Sequence, residues 1–255
     1  MRTADWTASV SVLDRLSAVL DAFGEHDEGL GVSELARRAG LPKSTVSRIA
    51  ADLVEQRFLD RDGDKLYLGV RLFELGQTVQ QPRVLRRQAL PVLRELRDVT
   101  GQTVNLGVLD GADVVVIAVL PGASMTLPPP LRVGARLPAY ATAMGKAVLA
   151  VSRRDVVSRV VAAGFEPRTP QTITDEPTLL RDLAGVRHRG AATDHEEYVP
   201  GVTGTASPVL GAAGIPVAAI SVAGPTGEFL IDSVVPAVRA AALTLSRRLA
   251  TVAAH

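Results

Sequence analysis

The sequence predicts an α+β protein in which an N-terminal winged helix-turn-helix is joined by a linker helix to a larger α+β domain. Three observations predict it. Gly31 through Val54 reads as a short helix, a Gly-Leu-Pro turn and a second helix. Arg57 to Leu68 places Asp62-Gly63 between two short apolar runs, a hairpin signal. Beyond residue 80, β-rich runs and helical patterns follow one another with hairpin turns between them. The expected boundaries are 1–68 for the winged unit, 69–80 for the linker helix and 81–255 for the second domain.

In the winged unit, Val10 to Phe23 carries Val12, Leu16, Val19, Leu20 and Phe23 at helical spacing. A helix from about Ser33 to Ala39 buries Leu35 with Ala36 or Ala39 and turns Arg37 and Arg38 to solvent. Gly40 suits a left-handed helix stop and Pro42 the first turn of the next helix. On a wheel of about 100° per residue, Val46, Ile49, Ala50 and Leu53 share one side, with Ser44, Ser47, Arg48 and Ala51 opposite. Small hydroxyl side chains beside one Arg let a helix enter a major groove while the guanidinium reaches a base edge or a phosphate. The candidate DNA-contacting set is therefore Arg37, Arg38, Lys43, Ser44, Thr45, Ser47 and Arg48, with Arg61 and Lys65 on the wing. Residues 1–68 hold nine Lys/Arg against twelve Asp/Glu. Non-specific affinity depends on neutralising phosphates, so contact focused on one face, strengthened by dimerisation, is expected.

Val70 to Gln80 forms the linker helix, with Leu72, Leu75 and Val79 in line. This narrow stripe suits pairing between two subunits or packing on its own domain. Gln80-Gln81-Pro82 breaks the pattern, and a helix from about Arg83 to Thr100 follows. Gln102–Leu109 and Asp113–Leu120 are strands joined at Asp110-Gly111. Helices are expected at Ala143–Ser152, Arg153–Ala163 and Glu176–Arg189, and strands at Ala191–Asp194, Gly201–Leu210 and Pro216–Ala223. The tail from about Phe229 to Val252 is helical, with Pro236 expected at the start of its main helix rather than inside it.

At 255 residues, 47% of them apolar, the chain has material for two cores. Net charge is +1 and there is no cysteine, which removes disulfide and thiolate chemistry. With neither an 18-residue apolar run nor a signal-peptide layout, a soluble cytoplasmic protein without membrane attachment is expected. There is no Gly-x-Ser-x-Gly elbow and no His-Glu-x-x-His. Gly145-Lys146 is not a P-loop, because Tyr140 and Ala147 stand where that motif needs Gly and Ser or Thr. No cofactor, metal or catalytic residue is expected.

Leu137 to Ala147 is the second informative stretch. Thr142 is a fair N-cap for a helix from Ala143, and the small residues Ala143, Met144 and Gly145 leave its first N–H groups open to a carboxylate or phosphate. The other possibility is a buried helix start in which Gly145 allows close packing; Lys146 either adds positive charge or lies in solvent. Asp194-His195-Glu196-Glu197-Tyr198 is an ionisable cluster after a short strand. His26, His188 and His255 have no ligand spacing to it, and Asp194 reads better as a hydrogen-bonding pocket wall than as a metal ligand. Ser221 interrupts an apolar buried strand, so its hydroxyl needs a partner in backbone or ligand.

Several of these segments together resemble the IclR family of bacterial transcription regulators: Leu41-Pro42-Lys43-Ser44-Thr45-Val46, Leu137 to Leu149 with its Ala-Met-Gly-Lys core, Asp194-x-Glu-Glu-Tyr-x-x-Gly201, and Ser221-Val-Ala-Gly-Pro225. The resemblance spans nearly the whole chain. It implies a GAF-like α+β effector domain, a homodimer or dimer of dimers on double-stranded operator DNA, and a small organic acid or aromatic metabolite as effector. By position, the family's pocket corresponds to the backbone at Ala143 and Met144 and to Asp194, Gly204, Ser221 and Ala223. Many members have Cys in place of Gly204 and Ser in place of Ala223, so a roomier, less polar pocket and a bulkier or more apolar effector than a two-carbon acid such as glyoxylate are expected. The alternatives are an enzyme working through the Asp194 region, with the N-terminal unit serving assembly, and a protein-binding adaptor.

Overall fold

The computed structural model describes residues 11–24, 27–122 and 131–253; Val10, His26 and His255 lie outside them. The chain divides into two compact units, residues 1–80 and 81–255.

In the first unit, α1 (Val12–Asp21) starts at a reciprocal cap: Ser11 Oγ accepts from the Asp14 N–H and the Asp14 carboxylate accepts from the Ser11 N–H. α2 (Val32–Ala39) ends at Gly40, whose left-handed φ of 65° suits a residue without Cβ. Pro42 is the N-cap of α3 (Lys43–Glu55), one position before the helix. A hairpin of β2 (Leu59–Asp62) and β3 (Lys65–Leu68) forms the wing, and β1 (Leu30–Gly31) pairs with β3. Two-residue β1 is too short to show alternation in the sequence. Asp62 pairs with Lys65, so the loop is Gly63-Asp64, one residue later than expected, with Gly63 at a φ of 57°. The core joins Val19, Leu30, Leu35, Val46, Ala50, Leu53, Leu59 and Leu66. α4 (Val70–Thr78) buries no residue.

The break after α4 falls at extended Val79. α5 (Gln80–Thr100) starts before Arg83 because Pro82 sits in its first turn, where no intrahelical N–H bond is needed.

The second unit is built on an antiparallel six-stranded sheet in the order β6-β5-β4-β9-β8-β7. Its strands are β4 (Thr103–Asp110), β5 (Asp113–Leu120), β6 (Arg136–Pro138), β7 (Ala192–His195), β8 (Val202–Leu210) and β9 (Pro216–Pro225). The three-residue β6 was not legible in the sequence. On one face, α5 and α9 (Ile231–Ala253) cover Leu106, Ile220, Val222 and their neighbours. On the other, α6 (Ala143–Ala150), α7 (Arg154–Ala162) and α8 (Glu176–Arg189) enclose a second core with Val114, Val116, Ala206 and Ala219. This is the GAF-like α+β arrangement.

Pro236 lies inside α9, contrary to expectation. Both Pro236 and Pro91 of α5 are exposed, so the carbonyls they leave unpaired can meet water and the helices continue.

Candidate functional site

The surface of α3 follows its sequence period. Val46, Ala50 and Leu53 are buried, while Lys43, Ser44, Ser47, Arg48 and Ala51 are exposed and Thr45 is half-buried. Lys43 and Arg48 make no ion pair among the described residues. The result is a ridge of short hydroxyls and free cations that a groove can admit.

The arginines of α2 differ. Arg38 Nη1 is 2.7 Å from Asp27 Oδ2 and donates to the Ala22 carbonyl, while its Nε binds Glu34 at 2.8 Å. It holds the α1–α2 corner together. Arg37 also binds Glu34, at 2.6 Å, but its side chain stays 72% exposed and can reach outward. Together they hold the Glu34 carboxyl down at about 2. On the wing, Arg61 is exposed, and Lys65 Nζ donates to the Glu28 carbonyl at 2.9 Å.

In the second unit, strand register brings separated residues together. Asp194 pairs with Gly204, and Gly204 with Ala223. In the adjoining row Ala192 pairs with Ala206, Ala206 with Ser221, and Ser221 with Asn105. Paired residues project to the same face of an antiparallel sheet. α6 packs on that face, against β7, β8 and β9. Four of these positions, Ala192, Gly204, Ala206 and Ala223, carry the smallest side chains beneath α6.

The start of α6 is built for close approach. Thr142 caps it: its Oγ1 accepts from the Gly145 N–H at 3.2 Å and donates to the Pro138 carbonyl. This occupies the Thr142 hydroxyl. A Cβ on Gly145 would lie 2.1 Å from the Ala139 carbonyl oxygen, so Gly145 serves packing. Tyr140 anchors the preceding turn, bonding both backbone groups of Glu166 and meeting Phe165 edge-on. The N–H groups of Ala143 and Met144 remain without an acceptor among the described residues. At a helix start such groups attract an anion.

Lys146 neither lies in solvent nor offers free charge. It is 1% exposed, 2.6 Å from Glu197 and 2.9 Å from Asp182, tying α6 to α8 and to the turn after β7. Burial pushes the Glu197 carboxyl up, with the Lys146 ammonium working against it. Asp194 accepts the Glu197 N–H at 2.8 Å, and burial raises its carboxyl to about 7. Near neutrality Asp194 can therefore donate to a bound anion. The remaining acidic cluster is structural: Glu196, at a φ of 60°, accepts the Gly201 N–H, and His195 is exposed. No group of three metal-ligating side chains exists among the described residues.

The sequence reading missed the Lys146–Glu197–Asp182 cluster, because three segments far apart in the chain form it. It also missed Asn105, although Asn105 interrupts a buried apolar strand as Ser221 does. No described helix is long and apolar enough to cross a membrane.

Comparison with known proteins places this geometry. Residues 12–63 match the IclR helix-turn-helix domain and residues 77–247 the bacterial transcriptional regulator IclR C-terminal domain. The chain is 35% identical over 224 residues to the HTH-type transcriptional regulator KdgR of Escherichia coli, covering 87% of this chain and 84% of that one. It is 32% identical over 238 residues to the transcriptional repressor IclR of the same organism, covering 91% and 86%. Among solved structures, an IclR homolog from Microbacterium hydrocarbonoxydans complexed with 4-hydroxybenzoate matches with a TM-score of 0.84 at 29% identity, covering 94% of this chain and 99% of that one. The Thermotoga maritima IclR matches with a TM-score of 0.75 at 30% identity, covering 93% and 98%. With a winged helix-turn-helix in one unit, an α+β fold in the other and both family domains in order, the chain belongs to the IclR family of ligand-responsive bacterial transcription regulators.

Proposed function

We propose that this regulator binds operator DNA as a homodimer or dimer of dimers through α3, and that a small organic acid or aromatic metabolite held beneath α6 alters that binding. The observation that carries the DNA half is the exposed ridge of Ser44, Ser47 and Arg48, whose side chains have no partner among the described residues. Arg48 reads a base edge or a phosphate, Lys43 and Arg37 meet the backbone, and Thr45, Arg61 and Lys65 add flanking contacts. Arg38 acts by holding α2 in place. Support for pairing comes from α4, where Val70, Phe73, Leu75 and Val79 are all about half or more exposed, the Phe73 ring at 66%. An apolar stripe of this kind on a short helix is covered by a second copy. A protein acting on operator DNA works in the cytoplasm, where the bacterial chromosome lies.

The effector's carboxylate is received by the Ala143 and Met144 N–H groups and by Asp194 in its protonated form, with Ser221 alongside. Gly204 and Ala223 favour a bulkier or more apolar body than a two-carbon acid. The 4-hydroxybenzoate bound by the Microbacterium homolog is of this class. Coupling between effector and DNA of about 1–3 kcal/mol is enough to change operator occupancy several-fold. The protein acts by binding rather than by catalysis.

Three measurements test this. Binding to DNA upstream of its own and adjacent genes should fall steeply with rising salt; a salt-independent association would instead favour a protein-binding adaptor. Titration calorimetry should show 4-hydroxybenzoate binding more tightly than glyoxylate, and the reverse order would remove the roomy-pocket reading. Turnover of a bound acid would favour the enzyme reading.

A further inference from the structure

One buried amide oxygen on the α6 side of the sheet accepts no hydrogen bond among the described residues. Asn105, on β4, is 3% exposed. Its Nδ2 donates to Ser221 Oγ at a long 3.4 Å, and its Oδ1 accepts from no group. A buried acceptor without a donor is a standing cost that a ligand can remove.

Its position places it in the ligand's path. Gly107, two residues further along β4, projects to the same face, and a Cβ there would meet the Met144 sulfur at 3.0 Å. Asn105 therefore lies one side-chain step, roughly 7 Å, along the strand from the point where α6 rests on the sheet. Thr103, the next residue of β4 on this face, pairs with Ala223, which pairs with Gly204. On β9 and β8 the side chains of this face are small, Ser221, Ala223 and Gly204, while Val119 of β5 stands opposite Asn105.

We propose that Asn105 determines effector specificity: its Oδ1 accepts a hydrogen bond from a hydroxyl or N–H on the effector, which is therefore an acid carrying a donor at a distance from its carboxylate. This rests on the reading of the α6 start as the carboxylate site. With Nδ2 turned to Ser221, the amide offers the ligand only an acceptor. A ligand of the same shape without the donor leaves Oδ1 unpaired and adds the cost of displacing any water there. Sites built to bond a hydroxyl reject analogues that lack it far more strongly than apolar pockets reject a change of size.

The test is calorimetric titration of the full chain with two matched pairs, 4-hydroxybenzoate against 4-fluorobenzoate and 4-hydroxyphenylacetate against 4-fluorophenylacetate. In the pair that fits, the hydroxyl member should bind about 10-fold or more tightly. In Asn105→Leu, of similar size, that ratio should collapse to about twofold or less, whereas Asn105→Asp, which keeps an acceptor, should retain it. The ratio in the unmodified protein stands whether or not either variant folds. Equal binding of both members overturns the donor requirement and leaves the carboxylate site standing, as does a ratio that survives in Asn105→Leu. Failure of all four acids to bind at millimolar concentration overturns the carboxylate site and, with it, this inference.

Discussion

The two units handle polar groups in opposite ways. The winged unit keeps its proposed DNA-contacting side chains outside: Lys43, Ser44, Ser47 and Arg48 stand in water on a helix whose other side is Val46, Ala50 and Leu53. The second unit takes polar groups inside, with Lys146, Glu197, Asn105 and Ser221 all buried and Asp194 partly so. A DNA-reading face is completed by its partner and can be cut without harming the fold. A ligand pocket is part of the core, so residues around it serve stability and recognition together. Mutations should separate function from folding in the first unit and entangle them in the second.

The sharpest test is Lys146→Met. It leaves Glu197 without a cation and Asp182 with Arg189 alone, at 3.7 Å, and removing one partner of a buried ion pair costs about 3–5 kcal/mol. Denaturant unfolding should show that loss in the second unit while the winged unit is unaffected, and adding Glu197→Gln should recover part of it. Gly145→Ala forces a methyl group onto the Ala139 backbone; overpacking of this kind costs about 1–3 kcal/mol or more. It should lower the melting temperature and weaken effector binding together.

Arg48→Ala should do the reverse. Operator affinity falls by about 1–3 kcal/mol if the guanidinium bonds a base, while stability stays within about 0.5 kcal/mol, as for other exposed positions. Fluorescence anisotropy with operator DNA and a thermal melt on the same sample would check both. Unchanged affinity would remove Arg48 from the reading set.

Asp194 sets a pH dependence. Its folded carboxyl titrates near 7, above the unfolded value of 3.8. Its contribution to stability is therefore fully present below about pH 4 and is lost as pH rises through about 7. Carboxylate binding should weaken over the same window, because an ionised Asp194 repels the ligand and cannot donate to it. Asp194→Asn should flatten both profiles, and a pH-independent affinity in the unmodified protein would contradict the assignment.

The smallest effect separates Arg37 from Arg38. Arg38→Ala should lower the melting temperature of the winged unit, because it undoes the link to Asp27 and Ala22. Arg37→Ala should leave the melt almost unchanged and act, if at all, on DNA affinity.

How much was legible follows the same division. The wheel of α3, the αL stop at Gly40 and the Gly-containing hairpin turns all depend on neighbours within a few residues, and each is readable from the chain. Small errors arose where tertiary context overrides local preference. Pro236 stays inside α9 because its exposed face lets water satisfy the freed carbonyl. β1 and β6 exist only because a longer strand offers them an edge. Thr142 and Gly145 were candidates for touching the effector, whereas their own groups are used in capping and packing α6.

By itself, the amino-acid order determined the winged helix, the polar outer face of α3, the α+β character of the remainder and the family. Each of these is written in local periodicity, turn chemistry and short motifs. Only the folded chain decided that Asp194, Gly204, Ala223, Ser221 and Asn105 share one face of a sheet, that Lys146 is buried between two carboxylates, and that one amide oxygen is left waiting for a donor. Strand register joins residues more than a hundred positions apart, such as Asn105 and Ser221, and burial sets the protonation of a carboxyl. Neither property belongs to any short stretch of sequence.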